Sequence, residues 1–397
     1  MVTLGKGKFI NLLLAALFII FPLGVVGRIA IGSGLNILLN DIVVFFVGAI
    51  WGIQKLVKKD FRLKNHLLRP VLLFVVVCVL SLAVNMFQFA PSQVFVSSLY
   101  ILRWIFYALL FFLISDLSKE YKQKIAHGLL IVGVFLALVG LVQYFLYPNL
   151  RNLFYAGWDE HLYRLFSSFL DPNFAGGIFV LSFLLAFAKV LKKGQKNIFT
   201  IIVCVLSFIA LLLTYSRGSF LSFLVGTALL LFLLGKKKIL VVMVGLFAMG
   251  IFLLPKNLAG EGVALLRTAS IFARLETAQN ALTIFRDHPV FGVGFNTYRY
   301  VQKQYGFITE EQFDESHAAS GTDNSFLFIL ATTGVIGGFF YLFLWYRILA
   351  IFRHDPVVVA SIAAIFIHAL FVNSLFYPWI MEWIWILLAV SRVDRSL

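Results

Sequence analysis

The residues best suited to chemistry lie in one long polar stretch, 255–324, of a chain that is otherwise largely apolar. Arg267 and Arg274 are seven positions apart, a spacing that on an α-helix sets two side chains near one face, where they could share an anionic ligand. Arg164 and Arg217 stand in two shorter polar breaks. A guanidinium offers a planar fork that meets phosphate oxygens two at a time, whereas an ammonium is a point charge. These arginines therefore suggest a phosphate-bearing ligand. The alternative is pairing with Glu276, Asp287, Glu310, Glu311, Asp314 and Glu315 of the same stretch. Near its end, His317 and Asp323 are the groups able to take up a proton, with His288 further off. Asp323 also precedes a hydrophobic run, so it could cap a helix, where free backbone donors favour a carboxylate.

The elements that must position these groups follow from composition. With 61% hydrophobic residues, 13% charged residues and a mean hydropathy of +0.96, the chain falls outside the soluble globular range. Apolar runs of about twenty residues suit α-helices that cross a bilayer and satisfy their own backbone. Barrel strands would alternate apolar and polar residues, and these runs are continuous. The net charge of +15 does not point to nucleic acid, because the basic residues are scattered over many loops. Cys78 and Cys204 lie inside apolar runs without metal-ligand or disulfide spacing and read as packing residues; no metal or other cofactor is called for.

About twelve spans are predicted, at 9–26, 35–53, 70–89, 94–114, 125–147, 172–191, 198–214, 219–234, 239–254, 324–346, 357–373 and 378–390. The expectation is an all-α polytopic membrane protein, one integral domain over 1–397, with a large loop between spans 9 and 10. Most of the 33 basic residues fall in alternate loops, which the positive-inside rule assigns to the cytoplasm together with both termini. The 255–324 loop then lies outside the cytoplasmic membrane, where ATP and nucleotide sugars are not available. Basic residues on that side are mostly arginine: Arg28, Arg151, Arg164, Arg217, Arg267, Arg274, Arg286 and Arg299.

Inside the loop, Leu275, Ala278, Leu282 and Phe285 recur at helical spacing, and Asp287 with Pro289 should end that helix. Gly292 and Gly294 read as a tight turn. Asp171 and Pro172 mark an ordinary helix start, with Asn173 a candidate for capping. Arg217, beside Gly218, sits at the end of a hairpin of spans, where an arginine either pairs, is used, or reaches for the interface.

The order SRG, then ARLETAQNALTIFRDHPVFGVGFNTY, then DNSFLFILATTGVIGG resembles the bacterial O-antigen ligase and polymerase superfamily over about 164–338. Ligases of that family open the span after the long loop with His, then Asn, Ser or Gln, then nine residues, then Gly-x-x-Gly. Here Asp323, Asn324, Gly334 and Gly337 keep the spacing with Asp in place of His. The resemblance implies a membrane glycosyltransferase of bacterial surface-polysaccharide synthesis that draws on a polyprenyl diphosphate-linked glycan, with Arg217 and Arg274 holding the diphosphate. Ligases pass the glycan to a lipid or protein hydroxyl, polymerases to a second lipid-linked glycan.

Such chemistry starts from a good leaving group. Arginines could stabilise the departing diphosphate without a metal, while a base opposite it receives the proton of the acceptor hydroxyl and the anomeric carbon inverts. Asp323 is the first candidate for that base and His317 the second. A flippase-like transporter is the alternative from another class; its site would use ionisable groups within the spans, of which Arg103, His368, Asp41 and Glu382 are the main ones.

Overall fold

Continuous apolar runs satisfy their backbone internally by folding as helices, and a computed structural model describes them for the chain apart from residues 1–2, 31–35, 58, 60–65, 157, 193–196, 256–260, 316–320 and 392–397. In order these are α1 (Thr3–Ile20), α2 (Leu39–Val57), α3 (Leu68–Asn85), α4 (Pro91–Ser115), α5 (Lys119–Leu146), α6 (Pro172–Leu191), α7 (Ile198–Leu213), α8 (Arg217–Leu233) and α9 (Lys237–Leu253). After α9 come α10 (Ala269–Asp287), α11 (Tyr298–Gln304) and α12 (Glu310–Glu315), then α13 (Ser325–Phe352), α14 (Pro356–Ala369) and α15 (Pro378–Val390). A helix sits at each predicted span. Six of them, α2 to α6 and α13, are long and apolar enough to cross a membrane, and α7, α8, α14 and α15 are shorter apolar helices. The protein is all-α and multi-pass, with one short hairpin that the sequence reading did not anticipate, β1 (Arg28–Ala30) against β2 (Asn36–Leu38).

Polar residues at the helix starts close off free amides. Asp171 accepts from the amides of Asn173 and Phe174, with Pro172 in the first turn of α6, so the expected start is present. Ser216 caps α8 and Asp355 caps α14 in the same way. At α13 the cap is Asn324, whose side chain accepts from Phe326 and Leu327. Asp323 stands one residue outside the helix and does not cap it, which corrects the capping alternative.

Helix α13 is broken at Gly334, where φ is 64°. The break is filled by the turn that follows α10. The amides of Val293 and Gly294 donate to the carbonyls of Ala331 and Thr332 at 3.1 and 2.9 Å, and the amide of Val335 donates to Pro289 at 2.8 Å. Gly292 also has positive φ, and a Cβ there would meet Thr332 at 2.3 Å. From α3, the Ser81 hydroxyl lies within reach of the carbonyls of Phe291 and Thr332, and Asn85 donates to Gly292. The glycines thus serve a close approach of backbones, and through it the polar stretch is pinned into the bundle.

A Cβ at Gly334 would stand 2.2 Å from the Val290 carbonyl oxygen. Gly334→Ala should therefore destabilise the fold by about 2–4 kcal/mol, combining left-handed strain with overpacking. A thermal melt in detergent should show a fall of several degrees, against no fall for Gly245→Ala, whose Cβ would meet nothing within 4 Å. Equal melts for the two variants would remove the structural role given to the break.

Candidate active site

A cavity of about 570 Å³ opens where α4, α6, α10 and α11 meet the approaches to α13 and α15. Part of its lining is aromatic, including Phe295, Phe328 and Phe376, with ring centroids 5.2 Å apart for Phe328 and Phe376. The rest is polar. Asp323, Arg274, Asp171 and Asp159 face it, as do His161, Arg299 and Arg103.

Asp323 comes from the segment that enters α13 and makes no hydrogen bond among the described residues, because Asn324 has taken the cap. Its carboxylate is exposed to the cavity yet walled by protein in most directions. Desolvation by those walls raises its pKa; Arg274 works against the rise, and Asp171 and Asp159 add to it. Of the two proton acceptors expected from the sequence, only this one can be placed, since His317 lies outside the described residues. His288 ends α10 and does not line the cavity.

Arg274 faces the cavity from α10 together with Ser270 and Ala273, one helical stripe. The outward face of the same helix carries Ile271, Phe272, Leu275 and Leu282, all exposed, whereas Ala281 and Ile284 are the buried positions. The apolar spacing seen in the sequence is therefore the side turned away from the bundle. Arg267 is not on this helix. The helix begins at Ala269, so the shared face expected for Arg267 and Arg274 does not exist; instead Arg267 turns back to the carbonyls of Gly262 and Ala264 at 2.6 and 3.1 Å.

Arg217, the first residue of α8, donates to the carbonyls of Leu265 and Arg267 at 3.2 and 2.9 Å and to the Ser270 hydroxyl at 2.7 Å. It thus holds the lead-in to α10. Arg164 is buried, donates through Nε to the Thr214 carbonyl at 2.9 Å, and leaves Nη2 without a partner. Arg164, Arg217 and Arg267 stand behind the cavity wall and Arg274 alone of the four lines it. They are nevertheless one electrostatic group. Burial and then Arg217 and Arg274 push Arg267 down to about 10, and burial and then Arg267 push Arg164 down to about 9. Burial lowers Arg274 as well, with Asp323 opposing and Arg217 assisting. At these values Arg267 and Arg164 remain cations at neutral pH.

The alternative of pairing with acids of the same stretch does not hold among the described residues. None of the four arginines makes an ion pair; Glu310 pairs with Lys303 at 2.5 Å, and Asp287 accepts from Tyr305 at 2.8 Å. What remains, among the described residues, is positive charge without an ion pair beside a carboxylate with no hydrogen bond.

Sequence reasoning missed Trp158, Asp159 and His161, and it took Asp171 only as a helix start. The signal was present: WDEH is a dense polar cluster in a chain poor in charge. Burial and Arg164 push His161 down to about 3, so its imidazole is neutral. The segment around it holds His161, Tyr163, Ser167 and Leu170 at positive φ. It is held there by Gln143 of α5, which accepts from the amides of Phe166 and Ser167, and by the amide of Leu165 donating to Leu213. Strained backbone kept in place by such ties is a mark of functional segments. Asn173, expected as a cap, accepts from the Ser216 hydroxyl and ties α6 to α8.

Residues 202–342 match the family model described as O-antigen ligase. That match supports the resemblance of the chain to the O-antigen ligase and polymerase superfamily. At family level the match supports a membrane glycosyltransferase of the O-antigen ligase family, a family that in general implies lipid-linked glycan substrates. The match takes in Arg217, Arg267, Arg274, Arg299 and Asp323, while Arg164, Asp159 and Asp171 precede it. No curated protein matches the chain.

If Arg217 anchors the lead-in to α10, Arg217→Gln should release it. Charge-assisted bonds of this kind contribute about 1.5–3 kcal/mol, so amide exchange over 262–272 should quicken roughly ten- to hundredfold. Exchange at the wild-type rate would show that the segment is held by something else.

Proposed function

We propose that this protein transfers a glycan from a polyprenyl diphosphate carrier to a hydroxyl acceptor on the outer face of the bacterial cytoplasmic membrane. In this reading the chain is one integral membrane domain with both termini cytoplasmic, and 255–324 is its extracytoplasmic active-site loop. The observation that carries it is the meeting of Arg274 and Asp323 in one cavity, with Arg164, Arg217 and Arg267 behind it and no ion pair to any of the four among the described residues.

The step balances as follows. The acceptor oxygen attacks the anomeric carbon, the bond from that carbon to the diphosphate oxygen breaks, and the hydroxyl proton passes to the Asp323 carboxylate, with inversion. His317 is the second candidate for the proton. The diphosphate leaves as an anion. Arg274 meets it directly, and the arginines behind supply a field that grows more favourable as charge builds on the leaving group. No metal is needed for the leaving group in this scheme.

The exposed apolar face of α10 supports a lipid-borne donor. Ile271, Phe272 and Leu275 are exposed on the same helix as Arg274, an arrangement suited to a helix lying in the membrane interface. A diphosphate at Arg274 would then sit at headgroup level with its polyprenyl chain in the lipid.

Transport is less well supported. The broken helix a carrier would use is filled by the 289–294 turn. Arg103 is paired with Asp41 at 2.5 Å, Glu382 accepts from Asn40 at 2.7 Å, and His368 is bonded to Ser219 and to the Asn173 carbonyl.

With purified enzyme and a synthetic lipid diphosphate glycan, Arg274→Ala should cost about 10²–10³ in turnover and Asp323→Asn about 10²–10⁴. The base acts deprotonated. Wild-type turnover should accordingly fall as pH drops through the raised pKa of Asp323, and the residual turnover of Asp323→Asn should lack that limb. Retention of turnover within twofold in either variant would sink the assignment.

A further inference from the structure

Thr322, Asn373 and Tyr377 line the cavity, and Thr322 Oγ1, Asn373 Oδ1 and Tyr377 Oη are buried without a hydrogen-bond partner among the described residues. A polar atom left in that state costs about 1–3 kcal/mol, so such atoms in a cavity wall call for a ligand that pairs them. All three groups are uncharged.

They border the space between Arg274 and Asp323. Thr322 directly precedes Asp323, and a Cβ at Gly321 would lie 3.8 Å from Asn373 Nδ2, so that amide sits against the segment entering α13. Tyr377 is an electrostatic neighbour of Asp171, which itself acts on both Arg274 and Asp323. The wall is also held still. The Tyr377 ring stacks on Phe174 with centroids 3.7 Å apart and planes 5° from parallel. The His368 imidazole is bonded to the Asn173 carbonyl and to the Ser374 hydroxyl, which ties the start of α6 to the residue after Asn373.

The charges acting on Asp323 are one cation, Arg274, and two carboxylates, Asp171 and Asp159. With Arg274 engaged by the diphosphate, a further negative charge on the sugar would meet three carboxylates. We propose that Thr322, Asn373 and Tyr377 bind hydroxyl or amide groups of the donor's first sugar, and that this sugar is uncharged, a hexose or an N-acetylhexosamine and not a uronic acid. The inference rests on the transferase reading and adds to it the class of sugar bonded to the diphosphate.

The test measures kcat/KM for lipid diphosphate donors whose first sugar is a hexose, an N-acetylhexosamine or a hexuronic acid, each in gluco and galacto configuration. Deoxy analogues of the best neutral donor, each lacking one hydroxyl, complete the set. Wild type should use the neutral sugars at least about tenfold better than the acids, because like charges brought together in a site repel strongly. Asp159→Asn should narrow that gap. Thr322→Val and Tyr377→Phe should each lower kcat/KM on the best donor about ten- to hundredfold, and each should become indifferent to the loss of the one hydroxyl that its residue bonds. That indifference is a ratio between donors, which the amount of folded enzyme does not move. Uronic acid donors used as well as neutral ones, or variants that lose the same factor on every donor and deoxy analogue, would overturn the proposal while leaving the transferase reading in place. No transfer by wild type from any donor would remove both.

Discussion

Four guanidiniums held close together without an ion pair among the described residues are the constraint on which the site depends. Arg164, Arg217, Arg267 and Arg274 repel one another in a partly desolvated setting where charge is weakly screened. The fold tolerates this by giving several of their N–H groups backbone carbonyls as partners, at Thr214, Gly262, Leu265 and Arg267. A carbonyl satisfies a donor, but it does not cancel a charge. The group therefore stays short of negative charge, and an anion arriving at Arg274 relieves it. In the proposed mechanism the same deficit grows in value when a leaving group becomes more negative, which would tie the electrostatics of folding to those of catalysis.

Holding such a group in place requires rigid surroundings, and local sequence supplies them. Gly334 breaks α13, the 289–294 turn fills the break, and Ser81 and Asn85 fasten the join to α3. Asn324 takes the helix cap, and Asp323 is left one residue upstream with its carboxylate open to the cavity. In the proposed mechanism two adjacent residues of similar size thus divide the structural and chemical duties. The aromatic part of the lining, around Phe295, Phe328 and Phe376, keeps one side of the cavity of low polarity beside these charges.

Much of this was legible in the sequence because it is local. Apolar runs, a Pro after an Asp at position 171, and a pair of glycines after Pro289 each express a backbone preference within a few residues. Arg274 and Asp323 could be singled out by spacing and by family resemblance, and they do face one cavity. What was not legible is set by contacts distant in the chain. The start of α10 at Ala269 rather than earlier placed Arg267 off the helix, since the residue before it, Thr268, makes no side-chain cap to announce the boundary. The helical spacing of Leu275 and Leu282 did not say which way that face turns, because a face turned to lipid and a face turned to a core have the same composition. Asp159, His161 and Arg299 reach the cavity only through the packing of α4, α6 and α11, which no periodicity encodes.

The account's central claim is that the arginine group exists to receive a lipid diphosphate at Arg274 with the sugar turned toward Asp323. The most direct measurement is a structure of the protein in lipid nanodiscs with an uncleavable phosphonate analogue of the lipid-linked glycan bound. The account predicts phosphorus density within hydrogen-bond reach of the Arg274 guanidinium, the anomeric carbon on the Asp323 side, and the lipid chain leaving along the outer face of α10. A diphosphate bound away from the cavity, or one seated there with its anomeric carbon shielded from both Asp323 and the residues just before it, would contradict it.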